Sequence, residues 1–182
     1  MGKGLDSAIK HIRATYGEGS VMHGNIKFDV DVIPTGCLSV DLATGVGGIP
    51  RGRITEAFGK PGTGKTTLAL HTVAEAQSMG LNVAYVDVEH ALDPTYAAAL
   101  GVKVEDLFIS QPDDAESALE ISETFIRSGE ISLVVVDSVD ALVTRSTIEG
   151  EMGDKHVAEL ARLMSQALRK LNGVVHQAKA VL

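Results

Sequence analysis

The run Gly59-Lys60-Pro61-Gly62-Thr63-Gly64-Lys65-Thr66 satisfies the spacing G-x-x-x-x-G-K-S/T and holds two kinds of chemistry. Its glycines let successive backbone N–H groups converge, and a helix opening directly after them adds unpaired donors and a positive dipole end, so the segment suits an anion. Lys65 supplies a point charge for the β- and γ-phosphates of a nucleotide, and the Thr66 hydroxyl is placed to ligate Mg²⁺. The expected nucleotide-binding residues are Gly59, Lys60, Pro61, Gly62, Thr63, Gly64, Lys65, Thr66 and Thr67. A glycine-rich turn with an exposed lysine is the alternative. From average glycine usage, such a match arises by chance on the order of 1% of the time or less in a chain of this length.

Two carboxylates complete the constellation. Val134-Val135-Val136-Asp137 ends an apolar run on an acid, the Walker B pattern, so Asp137 is expected to hold Mg²⁺ through water with Ser138 assisting by hydrogen bonding. Asp87-Val88-Glu89-His90 ends another run. If that strand lies next to the phosphate-loop strand, Glu89 can reach a γ-phosphate and orient or deprotonate an attacking water. Asp87 faces the opposite side by the period of two and reads as structural, and His90 reads as a core or interface histidine.

These groups need strands that end at one edge and helices that begin there. Short β-branched runs at 53–58, 83–88, 107–110 and 133–136 read as strands. Helical patterns lie over 65–79, 94–100, 114–127 and 157–171, the last ending at Asn172-Gly173, and Asp113 with Glu116 resembles a capping box. Alternation of this kind predicts an α/β fold with a mostly parallel sheet flanked by helices. Ahead of it, Leu5, Ala8, Ile9, Ile12 and Tyr16 make an amphipathic helix followed by a Gly-, Asn- and Asp-rich stretch. The expected division is an N-terminal helix and extension over 1–33 and a core over 34–182. Ala180-Val181-Leu182 reads as the opening of another buried strand, which suggests a core truncated at its C-terminus.

Composition narrows the class. With 182 residues, 45% hydrophobic and 22% charged, the chain has the makeup of one folded domain rather than a disordered segment. No apolar run approaches the roughly 20 residues needed to cross a bilayer, so no membrane association is expected. The single Cys37 fits a reducing cytosol, and the formal charge of −8 argues against simple coating of duplex DNA.

Beyond these motifs, Tyr85-Val86-Asp87-Val88-Glu89-His90-Ala91-Leu92-Asp93-Pro94, Val136-Asp137-Ser138-Val139 and Ile148-Glu149-Gly150-Glu151-Met152-Gly153-Asp154 resemble the bacterial RecA recombinases. So do Thr35-Gly36-Cys37-Leu38-Ser39-Val40-Asp41 and Gly47-Gly48-Ile49-Pro50-Arg51-Gly52-Arg53. The phosphate loop departs from the family's usual Pro-Glu-Ser-Ser run. The resemblance implies a P-loop NTPase core of the RecA type. It further implies a cytoplasmic, DNA-dependent ATPase of recombination and repair that forms filaments on single-stranded DNA and exchanges strands with duplex DNA.

By the same resemblance Glu89 matches the catalytic glutamate, with Lys65 beside it. Asp93 and Tyr96 match adenine contacts, and the N-terminal helix matches the element that docks on a neighbouring protomer. The stretch 149–156 looks like the first DNA-binding loop, and Arg162, Ser165 and Arg169 match DNA-contact positions. Their i, i+3, i+7 spacing puts these three on one helical face, which solvated surface residues would also explain. Two other readings remain: a P-loop kinase, and an inactive nucleotide-binding or protomer-capping fragment.

Overall fold

The structure, a computed structural model, describes residues 3–24, 30–150 and 158–182. At its centre β3 (Asn82–Asp87) pairs in parallel with β4 (Leu107–Ser110) on one side and β5 (Ile131–Asp137) on the other. β3 is buried from Val83 to Asp87, as a strand covered on both faces must be, which explains its continuous apolar run. Its side chains alternate between two cores. Ala84 and Val86, with Val134 of β5, pack under α5 (Ala115–Arg127) and α7 (Glu159–Ala178) through Ala118, Leu119, Ile126, Leu171 and Val175. Val83 and Tyr85, with Leu133, pack under α3 (Lys65–Ser78) and α4 (Pro94–Ala99) through Leu70, Val73, Ala76 and Ala97. The α/β class and the helix-flanked parallel sheet are as the sequence predicts.

The segment expected as a strand over 53–58 is not one. Only Arg53 forms a bridge, and its partner is Val181, which also bridges Leu133 of β5. Backbone bonds from Gly52 N to Ala180 O (2.6 Å), Thr55 N to Leu182 O (2.7 Å) and Val134 N to Val181 O (2.9 Å) make residues 180–182 a rib between the two. Among the described residues, this rib is the strand partner of the phosphate-loop segment. Ala180 and Val181 are buried, as expected of an opening strand. The expected adjacency of the Glu89 strand and the phosphate-loop segment also fails, because β5 and the 180–182 rib lie between them.

Two helix boundaries differ from expectation. α7 does not stop at Asn172-Gly173 but runs to Ala178, because Val174 and Val175 continue its buried stripe against the sheet. That burial outweighs the cost of about 1 kcal/mol for one glycine in a helix. Its expected first residue, Val157, lies outside the described residues. The cap of α5 is Asp114, not Asp113: its side chain accepts from Ser117 N at 2.8 Å, while Glu116 accepts from Arg145 N at 3.0 Å.

The periodicity did not reveal α2 (Leu38–Ala43), α6 (Arg145–Glu149) or the antiparallel pair of β1 (Val32–Ile33) with β2 (Ile49–Pro50). Ile33 is fully buried beside Leu70 and Val73, which anchors the end of the N-terminal extension to the core. α1 (Lys3–Tyr16) packs chiefly on the turn at 18–20 and leaves Leu5 and Tyr16 exposed. Among the described residues, no helix is long and apolar enough to cross a membrane.

Candidate phosphate and metal site

The loop turns where its glycines require it: Gly62 and Gly64 have φ of 75° and 92°, a region that side chains with a Cβ rarely enter. Thr63 tightens the bend by donating from its hydroxyl to Lys60 O at 2.8 Å. α3 begins immediately afterwards with Gly64 as its N-cap, and no side chain caps it. The first-turn N–H groups are therefore left for an anion. Lys65 folds back over the loop, its Nζ donating to Gly59 O at 3.1 Å and Lys60 O at 3.3 Å.

The strand ends bring the acids to this helix start. The Thr66 hydroxyl donates to Asp137 Oδ2 at 2.8 Å, and the Tyr85 hydroxyl donates to the same oxygen at 2.7 Å. Burial first, and then that bond to Asp137, push the Tyr85 phenol far above its ordinary pKa, so it remains a neutral donor. Register aligns Asp87 with Asp137, and Val88 N donates to Asp137 O at 2.8 Å. Glu89 thereby comes beside β5, where its Oε1 accepts from Ser138 Oγ at 2.5 Å.

Asp87 secures the turn that carries Glu89. The aspartate residue is 2% exposed, and its carboxylate accepts from Ala91 N (3.2 Å), Leu92 N (3.1 Å) and Gln111 Nε2 (2.9 Å). Burial opposes its charge as the largest single influence, but the bonds from Gln111, Leu92 and Ala91 together hold the carboxyl below the usual range. The structural reading of Asp87 agrees with this geometry. His90 is exposed with φ of 53° and so is not a core residue; it occupies the tight bend.

Next to α3, Asp93 caps α4 by accepting from Thr95 N at 2.8 Å and Tyr96 N at 3.3 Å. The Tyr96 hydroxyl meets Thr67 Oγ1 at 2.9 Å, with the residue 43% exposed. An accessible aromatic ring therefore stands beside the phosphate loop. A mostly apolar groove of about 530 Å³ borders the same loop, lined by Ile54, Phe58 and Lys65 opposite Val135, Asp137 and Ser138.

A family model for the RecA N-terminal domain matches residues 3–182. The chain belongs to that family. It is 56% identical to Protein RecA of Symbiobacterium thermophilum over 99% of its own length and 52% of the relative's. Against Protein RecA of Caldanaerobacter subterraneus subsp. tengcongensis it is 55% identical, covering 99% of the chain and 53% of the relative. Against Protein RecA of Aquifex aeolicus it is 56% identical, with the same coverage. The chain thus spans about half the length of these relatives.

Magnesium favours a few hard oxygen ligands and keeps several waters, and it is typically held by one or two carboxylates together with substrate phosphates. A hydroxyl and a carboxylate oxygen 2.8 Å apart at the mouth of an anion nest fit that demand. Among the described residues, no group of three or more His, Cys, Asp or Glu could hold a metal by itself.

The residues expected to contact DNA lie elsewhere. Arg162, Ser165 and Arg169 are all exposed on α7, while Leu163, Met164, Ala167 and Leu171 pack inward. Among the described residues neither arginine makes an ion pair, whereas Lys170 pairs with Glu123 at 2.7 Å. Of the expected first DNA loop, residues 151–156 lie outside the described residues. The ends flanking them are tied together by Ser146 Oγ donating to Glu159. Sequence reasoning assigned no role to Tyr85 or Gln111, since an apolar strand conceals a phenol and only register pairs a distant amide with Asp87.

Proposed function

We propose that this chain binds ATP with Mg²⁺ at residues 59–67 and hydrolyses it, as the ATPase part of a DNA-dependent recombination and repair protein. The observation that carries the reading is the bond from Thr66, in the first turn of a helix with no side-chain cap, to Asp137, with Glu89 held by the next residue, Ser138. Lys65 and the first-turn amides hold the polyphosphate, and Thr66 and Asp137 hold the cation, which when bound neutralises charge on the phosphates. Glu89, steadied by Ser138, orients the attacking water and accepts its proton. Asp93 and Tyr96 border the adenine, with Tyr96 stacking on it.

In the same reading, Arg162, Ser165 and Arg169 contact the phosphates of single-stranded DNA. The exposed apolar stripe of α1 docks on a second copy, building a filament that exchanges strands with duplex DNA in the cytoplasm. A labelled ATP analogue tests the site itself. Lys65→Ala removes charge-assisted phosphate contacts worth about 1.5–3 kcal/mol, so affinity should fall about 10- to 100-fold. Unchanged affinity refutes the phosphate site. ATP turnover measured with and without single-stranded DNA tests the wider role.

A further inference from the structure

Asp137 Oδ2 accepts two hydroxyls, and only the one from Thr66 belongs to the phosphate-loop motif. The other comes from the middle of β3. Tyr85 is 1% exposed in the core with Leu70, Val73 and Leu133, and it is registered opposite Val135, two residues before Asp137. The length of the phenol spans that offset and delivers a hydroxyl to the acid from inside the protein. A buried hydroxyl left without a partner costs about 1–3 kcal/mol, so this bond strongly favours one carboxylate orientation.

That orientation matters to Thr66. By donating its proton to Asp137, the Thr66 hydroxyl turns its lone pairs away from the acid, as a cation ligand requires. Carboxylates that serve a metal are generally held by further hydrogen bonds, and losing such a bond typically costs 10- to 100-fold in metal affinity or activity. We propose that Tyr85 is a positioning residue for the cation site, holding Asp137 Oδ2 against Thr66 so that the Thr66 lone pairs and Asp137 Oδ1 remain for Mg²⁺ and its waters. This inference rests on the phosphate-site reading above.

Tyr85→Phe deletes only the hydroxyl and keeps the ring in the core. The full chain and this variant are titrated with a fluorescent ATP analogue, once in chelator and once across a Mg²⁺ series. Binding without metal should match the parent, while the Mg²⁺ concentration at half-effect should rise about 10-fold. A general loosening of the core would weaken both arms alike, so equal losses overturn the inference. An unshifted Mg²⁺ midpoint does the same.

Asp137→Asn supplies an independent check. It should abolish the Mg²⁺-dependent increment, after which Tyr85→Phe should change nothing further; an additional loss in the double variant overturns the proposal. Failure of the underlying reading looks different, because a parent that binds the analogue without any Mg²⁺ dependence refutes the metal site itself.

Discussion

Glu89 lies in the turn after β3 and Asp137 ends β5, and hydroxyls hold both: Ser138 donates to Glu89, and Thr66 and Tyr85 donate to Asp137. In the proposed reaction the two carboxylates divide their work, Asp137 holding the cation and Glu89 handling water. Glu89→Gln separates these roles, because the amide keeps the shape and an acceptor for Ser138 but loses the base. If Glu89 is the base, ATP binding should persist in this variant while steady-state hydrolysis falls about 100-fold or more. Turnover within a few-fold of the parent would assign the base elsewhere.

The elements owe their placement to packing more than to local signals. α7 crosses the Asn172-Gly173 stop because Leu171, Val174 and Val175 seal the core against β5 and the 180–182 rib. Gly173 is exposed and helical, and a Cβ there would meet nothing within 4 Å. Gly173→Ala should therefore stabilise the fold by about 0.4–1 kcal/mol through the unfolded chain. Thermal melting followed by circular dichroism should show a rise of a few degrees. A fall in melting temperature would mean that the glycine serves a close approach that the helix surface does not reveal.

At the scale of the molecule, the exposed arginines of α7 stand out against a net charge of −8. Attraction of a polyanion to such a protein has to be local, since charges beyond about 8–10 Å are screened at physiological salt. If Arg162 and Arg169 each neutralise one phosphate, Arg162→Ala with Arg169→Ala should flatten the plot of log affinity for single-stranded DNA against log salt by about 1.4. Fluorescence anisotropy across a salt series checks this in any form of the protein that binds DNA. An unchanged slope would return both residues to the role of solvated surface.

The sequence alone showed the G-x-x-x-x-G-K-T spacing, the acid that ends the 134–137 run and the alternation of strand and helix, because each depends on neighbours within a few residues. A glycine at a positive φ, a lysine at the first position of a helix and the unbroken apolar run of a buried strand all leave local traces. What tertiary structure decided are relations across long separations. Only register sets Asp87 beside Asp137 and brings Glu89 to Ser138, and only pairing shows that β5 and residues 180–182 stand between the Glu89 strand and the phosphate loop. Tyr85 shows the division most clearly. In the sequence it is one more apolar-run residue, but a hydrogen bond across 52 positions makes it a partner of Asp137, and burial leaves its hydroxyl nowhere else to go.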